Sequence, residues 1–215
     1  MKQNQKYQKI TSIKIKKGDI TKRIISIDND TTLEIDDTVV NDLNLYIDKL
    51  IDKSTLNYLR KSEGISNAKK DAIRYLSYRQ RSEQEMINKL KNKKYSDEVI
   101  TDIIQWLKDL NYINDKEFAI SWIKDRLLNK PMGILKIRSE LLKKGITYDI
   151  ITDTICYFFE NVDDEIELAN KMLKNKEDSF LLKNVEFDQN KMVNLLKSRG
   201  FSSNVIRYFI EKWQG

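Results

Sequence analysis

The chain has 215 residues, 40% hydrophobic and 33% charged, with a formal net charge of +6. That balance reads as a water-facing folded protein, and no apolar run approaches the length that spans a bilayer. With no histidine and one cysteine, Cys156, the commonest general base, an internal disulfide and every usual zinc ligand set are excluded.

None of GxxxxGK(S/T), GxSxG or GxGxxG occurs, so no cofactor is expected. Met1-Lys-Gln-Asn lacks the apolar core of a signal peptide, and the single cysteine fits the cytoplasm. Cys156 stands among Ile155, Phe158 and Phe159 and is expected to be a packed structural thiol.

Residues 1 to 8 are polar. Ile10, Ile13 and Ile15, then Ile20, Ile24, Ile25 and Ile27, then Leu33 and Ile35 form short β-branched runs, broken at Lys17-Gly18-Asp19 and Asp28-Asn29-Asp30. Such runs between turn residues predict a small N-terminal β-hairpin or three-stranded β element over residues 1–35. Lys14, Lys16 and Lys22 would blunt an edge strand. Residues 36–66 read as a helical connector, with Val40, Leu43, Tyr46, Ile47 and Leu50 on one face and a break at Gly64.

The stretch from Asp71 to Gly145 then reads as a run of short amphipathic helices. Ser82 with Glu85 is a capping box, and Met86, Ile87 and Leu90 follow on one face. Ser96 caps a helix with a stripe of Ile100, Ile103, Ile104, Leu107 and Leu110, and Asn114 with Glu117 opens another that buries Phe118, Trp122, Ile123 and Leu127. Pro131, the only proline, enforces a break.

The pattern recurs. Leu90-x4-Tyr95-Ser96 matches Leu141-x4-Ile146-Thr147 and Leu196-x4-Phe201-Ser202. The Ser or Thr is placed to cap the following helix, while Gly145 and Gly200 suit a left-handed helix end. Tyr95, Ile146 and Phe201 are expected to be equivalent core positions. The fold class predicted is mainly α, with tandem three-helix repeats forming an elongated curved body. The repeats are placed at 67–118, 119–174 and 175–215, the third partial, with a polar insertion over 174–187 that carries Phe180-Leu-Leu. Phe209, Ile210 and Trp213 near the end of the chain are expected to dock into a core.

Positive charge is concentrated in two windows that start 50 residues apart, from Arg74 to Lys94 and from Lys124 to Lys144, while Tyr95 to Asp115 is acidic. Stacked repeats could bring the windows into one stripe facing a polyanion. The candidate contacts are Arg74, Arg79, Arg81, Lys89, Lys93 and Lys94 in the first window. In the second they are Arg126, Lys130, Lys136, Arg138, Lys143 and Lys144. The competing reading is a solvated lysine-rich face.

Three segments in order, Tyr75-Leu-Ser-Tyr-Arg-Gln-Arg-Ser-Glu-Gln-Glu-Met, Leu110-Asn-Tyr-Ile-Asn-Asp-Lys-Glu-Phe-Ala119 and Lys130-Pro-Met-Gly133 through Glu140-Leu-Leu-Lys-Lys-Gly145, resemble the RecX family of recombinase regulators. The likeness is closest from about residue 70 to 146. It implies tandem three-helix units and a non-enzymatic regulator in DNA repair and the SOS response. Such a protein binds RecA and RecA filaments on single-stranded DNA, and most often inhibits ATPase and strand exchange. It would act as a monomer, with DNA as a second, direct contact and no membrane partner. The rival classes are a helix-turn-helix DNA-binding protein and a helical protein-binding scaffold. The helix after Ser96 opens Ser-Asp-Glu, an acidic start unsuited to a recognition helix.

Overall fold

In the computed structural model, residues 7–28, 30–181 and 187–214 are described, the side chains of 178–181 and 214 excepted. The N-terminal isoleucines alternate with polar residues, so each strand turns one face inward. β1 (Tyr7–Lys16), β2 (Asp19–Ile27), β3 (Thr31–Asp36) and β4 (Leu50–Asp52) form an antiparallel sheet in the order β3-β2-β1-β4. Ile10, Ile25, Ile27, Leu33 and Ile35 point into one core with Val40, Leu45, Ile51, Leu56 and Leu59.

The sheet thus has a fourth strand beyond the two or three expected, and β1 and β2 are its central strands. Lys22, on β2 between β1 and β3, does not guard an edge, whereas β4 pairs with β1 only at Tyr7–Lys9, so the stretch of β1 that carries Lys14 and Lys16 keeps one side without a described strand. Lys22 is buried, pairing with Asp36 at 2.7 Å and donating to Ser66, and Lys16 pairs with Glu34 at 2.6 Å.

The connector also differs from its reading as helix. α1 covers only Asp37–Asp42, and Asn44 and Asp48 adopt positive φ. Tyr46, Ile47 and Leu50 are exposed. The backbone groups that a longer helix would have consumed go to the sheet, where the Ile10 N–H donates to Lys49 O and the Asp48 N–H to Ile10 O. Then α2 runs unbroken from Lys53 to Leu76. It is capped by Asp52, whose carboxylate accepts from Thr55 N–H at 2.8 Å. Gly64 does not break it, and a β-carbon there would make an ordinary contact with Val99.

α3 (Glu83–Asn92) and α4 (Asp97–Asp109) follow. Two compact units result, one of residues up to Arg79 with Met86–Leu110, the other of Gln80–Glu85 with the residues from Asn111. In the first, α4 packs on α2, burying Val99, Ile100, Ile103, Ile104 and Leu107, whereas Leu110 lies past the last turn and is exposed.

The second unit contains α5 (Asp115–Asn129), α6 (Ile134–Lys143), α7 (Tyr148–Phe158), α8 (Val162–Leu181), α9 (Gln189–Ser198) and α10 (Ser203–Gln214). Phe118, Ile123, Ile137, Leu141, Ile146, Ile151 and Ile155 fill the core of α5 to α7. Ala169, Met172, Leu173, Met192, Leu196, Phe201, Val205 and Phe209 fill that of α8 to α10. Phe209 docks as expected, but Trp213 is exposed. α8 continues as helix through the start of the expected insertion, while the Phe180-Leu-Leu patch lies outside the described side chains. Cys156 is exposed, contrary to its reading as a packed thiol. Thr154 and Ile155 take the inward positions of α7, and the next residue turns away from them by about 100°.

The three aligned turns share one geometry. Tyr95, Ile146 and Phe201 each donate a backbone N–H to the carbonyl of Leu90, Leu141 or Leu196, and the residue before each donates to the carbonyl of Lys91, Leu142 or Lys197. That pair of bonds is a Schellman helix end, and it needs a left-handed residue, supplied by Gly145 (φ +80°), Gly200 (φ +73°) and, in the first turn, Lys94 (φ +63°). Ser96 and Ser202 cap the next helix through their hydroxyls, but Thr147 makes no side-chain cap bond.

Within the second unit these turns also serve as docking points. Ser82 Oγ caps α3 by accepting from Glu85 N–H and donates to Lys144 O at 2.7 Å, while Glu83 N–H donates to Asp115 at 2.8 Å. One repeat later the pattern returns. Gly133 N–H donates to Arg199 O at 2.9 Å, and Ile134 N–H donates to the buried carboxylate of Glu165 at 3.0 Å. In each joint the first turn of one helix sits on the last carbonyls of the corresponding helix of the next repeat. The positive helix start thereby meets the negative helix end.

Candidate partner-binding surface

Among the described residues no group of three or more His, Cys, Asp or Glu could hold a metal ion, and no helix is long and apolar enough to cross a membrane. What the first unit does build is a basic hollow of about 290 Å³ where the end of α2 faces α3, lined by Asp71, Arg74, Tyr75, Tyr78, Lys89 and Lys93. Helical spacing causes it. Asp71, Arg74, Tyr75 and Tyr78 recur at three- and four-residue intervals and so share one side of α2 and its extension, while Lys89 and Lys93 face them from α3.

The bases in this hollow are held in place. Lys93 Nζ lies 2.9 Å from Asp71 Oδ1, and Lys89 Nζ stands 5.2 Å over the Tyr75 ring. Tyr95 donates its hydroxyl to Asp71 Oδ2 at 2.7 Å. Burial disfavours charge on Asp71, but the bonds from Lys93 and Tyr95 outweigh it and hold the carboxyl below its usual range. Burial, then the bond to Asp71, pushes the Tyr95 hydroxyl up to about 12. Tyr95 is thus a half-buried anchor of the hollow, unlike the fully buried Ile146 and Phe201. Arg74 and Tyr78 are exposed, the tyrosine to 77%.

The sequence-predicted contacts fall into both units. Arg74, Lys89 and Lys93 meet in the hollow; Arg79 and Lys94 are exposed in the same unit. Arg81 belongs to the second unit and is half-buried. So do the bases of the second window, several of which have structural work. Arg126 packs over Trp122 at 4.8 Å and Arg138 over Tyr148 at 5.4 Å. Lys136 Nζ donates to Ser198 O at 3.0 Å, and Lys144 Nζ lies 3.0 Å from Glu85. Lys130 and Lys143 are exposed. Sequence reasoning missed the aromatic half of the hollow, although Tyr75 and Tyr78 at i and i+3 beside Arg74 carried the signal.

Residues 68–107 match the family model described as RecX, first three-helix domain, and residues 114–155 match RecX, second three-helix domain. A Regulatory protein RecX from Clostridium beijerinckii is 31% identical over 210 residues, 95% of each chain. The chain belongs to the RecX family. A Regulatory protein RecX from Clostridium perfringens (strain SM101 / Type A) is 30% identical over 200 residues, 90% of this chain and 91% of that one. The crystal structure of RecX from Lactobacillus salivarius aligns over 70% of this chain and 97% of its own, with a TM-score of 0.55 and 31% identity. Another crystal structure of regulatory protein RecX aligns over 93% of this chain and 97% of its own, with a TM-score of 0.70 and 23% identity. It shares the fold over more of the chain than the two matched RecX domains.

Proposed function

We propose that this RecX family protein is a non-enzymatic regulator that binds RecA and its filament on single-stranded DNA and inhibits ATPase and strand exchange, serving DNA repair and the SOS response as a cytoplasmic monomer. The observation that carries this is the α2–α3 hollow. Arg74, Lys89 and Lys93 supply charge for phosphates, and Tyr75 and Tyr78 supply ring faces for bases. Cations along a backbone together with aromatic platforms are what single-stranded nucleic acid binds.

The test is single-strand-dependent ATP hydrolysis by the cognate RecA as this protein is titrated in. Hydrolysis should fall with rising ratio. Arg74→Glu with Tyr78→Ala, both exposed, should keep the melting temperature and lose the inhibition. The salt dependence of binding should flatten by about one unit of slope per phosphate contact removed. A hydrolysis rate unchanged at every ratio would refute the reading, and an affinity indifferent to salt would point instead to a purely protein-binding scaffold.

A further inference from the structure

Helix α6 turns two leucines to solvent, Leu135 at 52% and Leu142 at 48% exposure. Seven residues apart, they stand on one face with Ser139 between them. The aligned turns at Leu90, Leu141 and Leu196 give the matching positions on the sister helices: Gln84, Asn88 and Lys91 on α3, Asn190, Asn194 and Lys197 on α9, all exposed. A lone exposed leucine needs no explanation. Two on one face, where both sister helices are polar, do nothing for the core, which Ile137 and Leu141 already fill.

The flanks of this ridge are basic. At about 100° per residue Arg138 borders one side, and Lys136 and Lys143 the other. The one acid of α6, Glu140, reaches toward Arg126 at 4.0 Å. Tyr148, under Arg138, is itself exposed and widens the apolar strip. Single-stranded nucleic acid binds chiefly through cations and ring faces, which a pair of leucines does not supply. A protein cleft has, since apolar anchors in a desolvated pocket carry most of the affinity of an interface and charge complementarity sets its orientation.

We propose that the Leu135–Leu142 ridge docks into an apolar cleft rimmed by carboxylates on a protein partner. This rests on the regulatory reading above, under which the cleft belongs to the RecA subunit rather than to the DNA. The two surfaces then divide the work, the α2–α3 hollow taking nucleic acid and the α6 ridge taking protein.

The experiment compares the full chain with Leu135→Gln/Leu142→Lys, the residues that α3 carries at these positions. Three readouts serve: melting temperature, affinity for single-stranded DNA alone, and affinity for the cognate RecA, both DNA-free and in its filament. The variant should melt like the wild type, bind DNA unchanged, and bind RecA at least tenfold more weakly in whichever state the wild type recognises. Leu142→Lys alone, at a position where both sisters have lysine, gives the same reading should the pair lose its melting transition. Wild-type affinity for RecA in a folded variant overturns the ridge and leaves the regulatory reading standing. Absence of any RecA binding by the wild type overturns both.

Discussion

Asp71 shows how a single residue ties the end of one helix to the proposed binding surface. Its carboxylate accepts from Lys93 and Tyr95, so it fixes a base that would otherwise sample many rotamers. Removing the charge by Asp71→Asn should cost about 1 kcal/mol near neutral pH, the scale of a charge-assisted bond discounted for its partly exposed lysine. Because the folded carboxyl is held below its unfolded value of 3.8, this stability is present above that value and is lost as pH falls through the depressed one. The gap between wild type and variant in urea denaturation should therefore narrow in acid. Tyr95 acts in the opposite window. Its hydroxyl is raised from 10.0 to about 12, so its contribution holds below 10 and is lost as pH climbs toward 12.

At the scale of elements, the three Schellman turns show why two are glycine and one is lysine. A β-carbon on Gly145 would overlap Gln84, and one on Gly200 would overlap the backbone of Lys136. Both turns carry a joint, and each demands glycine for close approach as well as for φ. The turn at Lys94 asks only for positive φ. Lys94→Gly should accordingly raise stability by roughly 0.5–1 kcal/mol, relief of left-handed strain partly offset by the freer unfolded chain. Gly133→Ala should do the reverse. Its added carbon meets the backbone of Gly200 and Phe201, which cannot swing aside, so a loss of about 3 kcal/mol is expected in denaturant titration. A variant as stable as wild type would show that the joint is looser than its geometry implies.

For the whole molecule, charge is sorted by element. α4 presents Asp97, Glu98, Asp102 and Asp109 outward from its apolar stripe, whereas α2 and α6 carry an excess of bases. Net charge alone would steer the protein to any polyanion. On the proposed reading, selectivity comes from the rings of Tyr75 and Tyr78 in one unit and the leucines of α6 in the other. Those side chains separate this protein from a merely basic helical bundle.

The helices from Ser82 to Ile155, the caps at Ser82, Ser96 and Asn114 and the three turns were legible in the sequence, because helical periodicity, Ser and Asn caps and a left-handed turn residue are local properties of the chain. The family was legible for the same reason, in motifs that mark helix boundaries. Pairing over long distances was not. Leu50–Asp52 becomes a strand only because β1 offers it an open edge, and residues 43–49 leave the helical path to deliver it there. Gly64 stays helical because α4 packs on α2, where tertiary burial outweighs a propensity cost of about 1 kcal/mol. Cys156 and Leu110 turned outward because neighbours in the same apolar runs claimed the core first. The bases could be named from sequence, but their company could not. Which lysine closes a helix joint, which leans on a ring and which faces solvent is set by groups brought from other elements, and only the tertiary structure decides that.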